Sequence, residues 1–158
     1  MRFIEITATV CLALLPSWAL AAGGDDTPSW NAASQDPAVK AANASLAAGD
    51  YTAAQASLKI ALAANPGNAD LNNLYAYALR KGSNPDMAAV FKHYNEALRI
   101  DPKHLNANEY IGEAYLMSGN LAKAKEHLAV LDKLCLFGCE QYSMLKKSIA
   151  TYETKTPK

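Results

Sequence analysis

Residues 106–131, NANEYIGEAYLMSGNLAKAKEHLAVL, hold two helical patterns separated by one Ser-Gly-Asn break, and that pairing limits what the chain can become. Before the break Ile111, Ala114, Tyr115 and Met117 recur at spacings of three and four; after it Leu121, Ala124, Leu128 and Leu131 do the same. Each half therefore carries one apolar stripe. Gly119 stands where the first helix has to stop, a position that often takes positive φ, which glycine adopts without a Cβ clash. The spacing predicts a helical hairpin.

The rest of the chain from Pro37 onward repeats this alternation of helical patterns and turn signals. Residues 37–47 are alanine-rich and end in Ala48-Gly49-Asp50, after which residues 51–64 place Tyr51, Ala54, Leu58, Ala61 and Leu62 on one face. Residues 68–81 present Leu71, Leu74, Tyr75 and Ala78 before the loop Gly82-Ser83-Asn84. Asn84-Pro85 reads as the N-cap and first position of a helix over 85–100, and Asp101-Pro102 opens another in the same way. No segment shows the period-two alternation of a strand. Aligning Gly49-Asp50-Tyr51 with Gly119-Asn120-Leu121 brings Ala54 onto Ala124 and Leu58 onto Leu128. Aligning Asn65-Pro66 with Asp101-Pro102 brings Ala61-Leu62 onto Ala97-Leu98. An internal repeat follows.

These residues resemble the tetratricopeptide repeat, a helix-turn-helix unit of about 34 residues. The third unit, 105–138, is most similar through Ile111-Gly112, Tyr115, Gly119-Asn120, Ala124 and Leu128. The first, 35–68, has Ala42 and Ser45 where Gly and Tyr are usual, and the second, 69–104, carries surplus residues in Gly82-Ser83-Asn84-Pro85. The resemblance implies an all-α, right-handed superhelical α-solenoid of three such units over 37–155. Gly112 and Ala124 let the two helices of a pair approach closely. A repeat cannot bury its face alone, so a capping helix is expected over 139–155, where Tyr142, Leu145, Ile149 and Tyr152 fall at helical spacing.

The first 21 residues have the layout of a secretory signal peptide: Arg2, an apolar run over 6–15, Pro16, and Ala19-Leu20-Ala21 before the expected cut. Residues 22–36 read as a flexible leader whose large apolar residue is Trp30. The expectation is a secreted, periplasmic protein with no membrane insertion after cleavage, since the apolar run is far short of the ~20 residues of a span. With 15 cations and 15 acids the chain lacks the basic field that nucleic acid requires. Cleavage would remove Cys11 and leave Cys135 and Cys139, for which a disulfide is the expectation in an oxidising compartment. Gly138 breaks the helix there and lets the two Cα atoms come within about 7 Å.

No catalytic constellation, metal-ligand spacing or cofactor motif is present, so the chain reads as a non-enzyme with no catalytic residue, no metal and no cofactor. His93 and His127 sit at equivalent positions of two repeats and read as solvated helix surface; His104 opens a helix with no evident partner. In the resemblance, the first helix of each pair lines a concave groove, which here carries Asn43, Asn72, Asn73, Arg80, Asn106, Glu109, Tyr110, Glu113 and Met117. Asparagine offers donor and acceptor to an extended backbone. Asn43 and Asn73 fall on the asparagine positions of the carboxylate clamp found in some members of that family, but its cationic positions hold Val39, Asn106 and Tyr110. The function expected is therefore a protein- or peptide-binding adaptor or assembly factor of the cell envelope, its partner and oligomeric state open. The alternative is a thiol-redox or copper-handling protein using Cys135 and Cys139, since soft thiolates suit Cu(I).

Overall fold

The computed structural model describes residues 36–156, so the expected signal peptide and nearly all of the leader, Trp30 included, lie outside the described residues. The described chain is seven helices without a strand: α1 (Pro37–Ala47), α2 (Tyr51–Ala64), α3 (Ala69–Lys81), α4 (Met87–Ile100), α5 (Leu105–Met117), α6 (Leu121–Leu134) and α7 (Glu140–Lys155). Asp36, at the end of the expected leader, is the N-cap of α1, accepting from the Ala38 N–H at 2.8 Å.

The turns within the first and third pairs are built alike. Gly49 and Gly119 take φ of +73° and +75°. The following N–H of Asp50 reaches back to Ser45 O at 3.0 Å, as that of Asn120 reaches Tyr115 O at 2.8 Å. These close the helix ends as Schellman turns. Asp50 and Asn120 then cap the next helix, accepting from Ala53 and Lys123 N–H. The second pair lacks this turn. There Asn84-Pro85 does not start α4: Asp86 is the cap, its Oδ1 accepting from Ala88 and Ala89 N–H at 3.0 and 3.2 Å. Nor does Asp101-Pro102 start α5. The Asp101 carboxylate is taken by the Lys103 N–H within the turn, and His104 caps α5 instead.

Consecutive helices pack against each other, and α1, α3, α5 and α7 also touch in succession, whereas α2, α4 and α6 do not approach one another. The stack thus closes toward the odd-numbered helices, which form its inner wall. Leu58, Leu71, Val90, Tyr94 and Ile111 are buried in one part of the core and Leu131, Leu145 and Ile149 in the other, with Tyr115 packed against both. Each fully buried aliphatic side chain contributes roughly 1.5–3 kcal/mol. At the α6–α7 junction Cys135 and Cys139 have their Cα atoms 5.5 Å apart and their Sγ atoms at bonding distance. Gly138 turns the chain between them at φ +84°.

Gly112 makes room for a different neighbour from the one its own hairpin provides. A Cβ there would lie 2.6 and 2.8 Å from the two Cδ atoms of Leu145 on α7, a fully buried side chain. Alanine in place of glycine inside a helix is worth about 0.5–1 kcal/mol, but overpacking a core costs about 1–3. Gly112→Ala is therefore expected to lower stability, and to raise it in a Leu145→Ala background where the clash is gone. Urea denaturation of the four chains of this cycle checks the reversal of sign; a stabilising Gly112→Ala in the parent would refute the close approach.

Candidate peptide-binding groove

The inner wall has at its centre a charged side chain that helical spacing alone does not bury. Arg80, three and seven residues beyond Tyr77 and Asn73 on α3, is only 7% exposed. Its Nε donates to the Tyr94 hydroxyl of α4 at 3.3 Å. Its Nη1 reaches Glu113 Oε2 of α5 at 3.4 Å and Met117 Sδ at 3.8 Å. The guanidinium carbon stands 5.4 Å from the Tyr77 ring centroid and 5.7 Å from that of Tyr110. Burial by itself works against the charge, yet Tyr94 and Glu113 outweigh it and hold the arginine's pKa above its usual value. Tyr94, fully buried, is pushed up to about 12, burial outweighing the nearby cation. Burial, followed by the neighbouring Glu109, raises Tyr110 as well.

The other wall residues expected from the sequence divide into those already committed and those left open. Glu113 also accepts from Ser148 of α7. Asn106 accepts from Gln141 Nε2 at 2.8 Å, which ties α5 to α7. Glu109 is buried, and Met117 is 55% exposed. Asn43 Oδ1, Asn73 Oδ1 and the Tyr110 hydroxyl are buried with no hydrogen-bond partner. Such unmet groups cost roughly 1–3 kcal/mol each, and native interiors contain few of them.

Asn72 does not face a ligand. Its Nδ2 donates to Pro66 O and Asn68 O, both at 3.0 Å, and its Oδ1 meets His93 Nδ1 at 3.0 Å. The same arrangement recurs one unit later: Asn108 Nδ2 donates to Pro102 O and His104 O, and Asn108 Oδ1 meets His127 Nδ1 at 3.1 Å. With both amide protons spent on carbonyls, the imidazole nitrogen is the donor. His93 and His127 are thus half-buried ties between paired helices rather than solvated surface. His104 has partners too. Its Nδ1 accepts from the Ala107 N–H at 3.2 Å, which leaves Nε2 as the donor to Asp70 at 3.1 Å. The recurrence of Asn72 and Asn108 with His93 and His127 at matching repeat positions is the sequence signal that could have found these ties and was not used. Among the described residues no three or more His, Cys, Asp or Glu gather as metal ligands, and no helix is long and apolar enough to cross a membrane.

Residues 39–104, spanning α1 to α4, match the family model described as tetratricopeptide repeat. Over those residues the chain carries the tetratricopeptide repeat pattern. Solved structures share its helical fold. The Yersinia enterocolitica type III secretion translocator chaperone SycD superposes with a TM-score of 0.64 at 14% identity, over 73% of this chain and 81% of that one. The second tetratricopeptide domain of human RPAP3, solved with the HSP70 peptide SGPTIEEVD, superposes at 0.61 and 22% identity, over 70% and 91%. The first RPAP3 domain gives 0.61 and 19%, over 74% and 93%. No curated protein sequence matches the chain.

The histidine ties make the repeat fold sensitive to acid. Burial foremost lowers the pKa of both His93 and His127, with Lys92 adding to it for the first and Glu126 opposing it for the second. A folded pKa below the unfolded value means that the unfolded chain binds more protons in that window. Their contribution is full above about pH 6.5, the unfolded value, and is lost as pH falls through it toward the folded values. The urea midpoint is therefore expected to drop between pH 7.5 and 5.5, and less steeply in a His93→Gln/His127→Gln chain. Equal pH dependence in the two would show that these rings do not titrate with folding.

Proposed function

We propose that this protein is a non-catalytic adaptor or assembly factor of the cell envelope, which holds an extended segment of a partner protein along its inner wall. One observation carries the reading: Asn43, Asn73 and Tyr110, on the three successive inner helices α1, α3 and α5, keep buried polar atoms unpaired. A peptide backbone supplies the missing donors and acceptors. Solved structures of the same architecture include a tetratricopeptide domain with a bound peptide and a translocator chaperone, which supports a protein partner for this chain.

The mode of holding differs from a carboxylate clamp. Arg80 is enclosed by two tyrosine rings and Glu113, so its charge is already matched. Val39, at one of the clamp's cationic positions, is buried and apolar. The groove reading rests instead on backbone recognition. Export and a Cys135–Cys139 disulfide that fixes α7 to α6 belong to the same proposal, because α7 completes the inner wall through Ser148 and Gln141.

Removing unmet polar atoms separates function from stability. An Asn73→Leu/Tyr110→Phe chain is expected to melt no lower than the parent while losing about tenfold or more in affinity for proteins recovered by crosslinking in envelope extracts. Unchanged recovery of those partners would sink the groove. The exported protein, denatured and treated with a maleimide before any reductant, is expected to take up no label at Cys135 or Cys139 and two labels after reduction. Labelling of both thiols at the outset would remove the disulfide from the proposal.

A further inference from the structure

Past Tyr110 and Glu113 the inner wall runs into a cleft of about 470 Å³ where the C-terminal end of α5 meets α7. Leu116, Met117, Met144 and Tyr152 give it apolar surface, and Lys147 and Lys155 border it. The cleft is continuous with the groove, since Met117 Sδ touches Arg80 and Ser148 beside the cleft donates to Glu113. Its charge is one-sided. The carboxylates in reach are engaged, Glu113 with Arg80 and Ser148, and Glu153 with Lys125 of α6. Lys147 and Lys155 are exposed and have no ion-pair partner among the described residues.

Resting on the groove reading above, we propose that this cleft selects an acidic segment of the partner polypeptide: an apolar side chain seats between Met117 and Met144, and carboxylates flanking it pair with Lys147 and Lys155. Methionine side chains are unbranched and polarizable, which suits an apolar anchor of variable shape. The two lysines lie eight residues apart on one helix, about 12 Å of rise, a span that three or four residues of an extended chain cover at about 3.3 Å each. Ammonium–carboxylate hydrogen bonds are among the stronger polar contacts. A basic segment entering the same cleft would meet two like charges, so the border rejects as well as attracts.

A displayed random dodecapeptide library panned on the full chain reads this preference without knowledge of the natural partner. Selected peptides are expected to be rich in Asp and Glu on either side of Leu, Ile, Met or Phe. A synthetic selected peptide is expected to bind at least tenfold more weakly to a Lys147→Glu/Lys155→Glu chain, whose exposed substitutions leave the circular dichroism spectrum unchanged, and to weaken with added salt. Peptides that respond to Asn73→Leu/Tyr110→Phe but lack acidic residues, or ignore the lysine substitutions, overturn the cleft and leave the groove standing. Failure to select any peptide overturns both. Concentration-dependent self-association abolished by the lysine substitutions would make a second copy the occupant and overturn the proposal.

Discussion

The cation of Arg80, taken out of water and surrounded on every side, connects more of the molecule than any apolar contact does. It belongs to α3, bonds the Tyr94 hydroxyl of α4, faces Glu113 and Tyr110 of α5, and through Glu113 reaches Ser148 of α7. An isolated buried charge is costly, and attraction repays that cost only when geometry is good and the remaining protons find partners. Here one nitrogen bonds a hydroxyl, another a carboxylate, and the plane stands against two rings. A planar guanidinium can do this where a lysine ammonium cannot. The consequence is positional: the three helices that meet at Arg80 cannot slide along one another without leaving a charge unmatched.

That constraint acts on a stack whose units otherwise contact only their neighbours, the usual condition of a solenoid. Inner helices touch in succession and outer helices do not, so the curvature is set along the wall where Arg80 lies. Gly112 contributes at the next step, where the absence of a Cβ admits Leu145 and draws α7 against α5. A wall held in this way is fixed in shape by the fold itself, and in the proposed groove a preshaped wall would lose less conformational freedom on binding.

Much of this architecture was legible in the chain. Apolar residues at spacings of three and four gave seven helices, and Gly49 and Gly119 marked two turns that both adopt positive φ. Helix starts were read less well. Asn84 and Asp101 are good capping residues by type, but Asp86 and His104 stand nearer to the helices and take the N–H groups first. Spacing also names a helix face without saying which neighbour covers it. Asn72 and Asn73 are adjacent in sequence, yet one is spent between paired helices and the other faces the inner wall with an unmet oxygen. Spacing alone put Arg80 on one face of α3 and gave no sign of its burial, which depends on tyrosines from α3, α4 and α5 converging in space.

Polar atoms on the inner wall are therefore of two physical kinds. Those of Arg80, Asn106 and Glu113 are satisfied within the fold, and a ligand that engaged them would first have to break bonds between helices. Those of Asn43, Asn73 and Tyr110 are desolvated without compensation, so a ligand that reaches them gains hydrogen bonds and displaces none. In the proposed groove, binding energy would concentrate at the unmet atoms, while the satisfied ones fix their spacing. A partner that meets both the unmet atoms and the lysine-bordered cleft has to run from α1 toward α7 along a single wall, and the ties through Arg80 and Glu113 keep the two ends of that path in register.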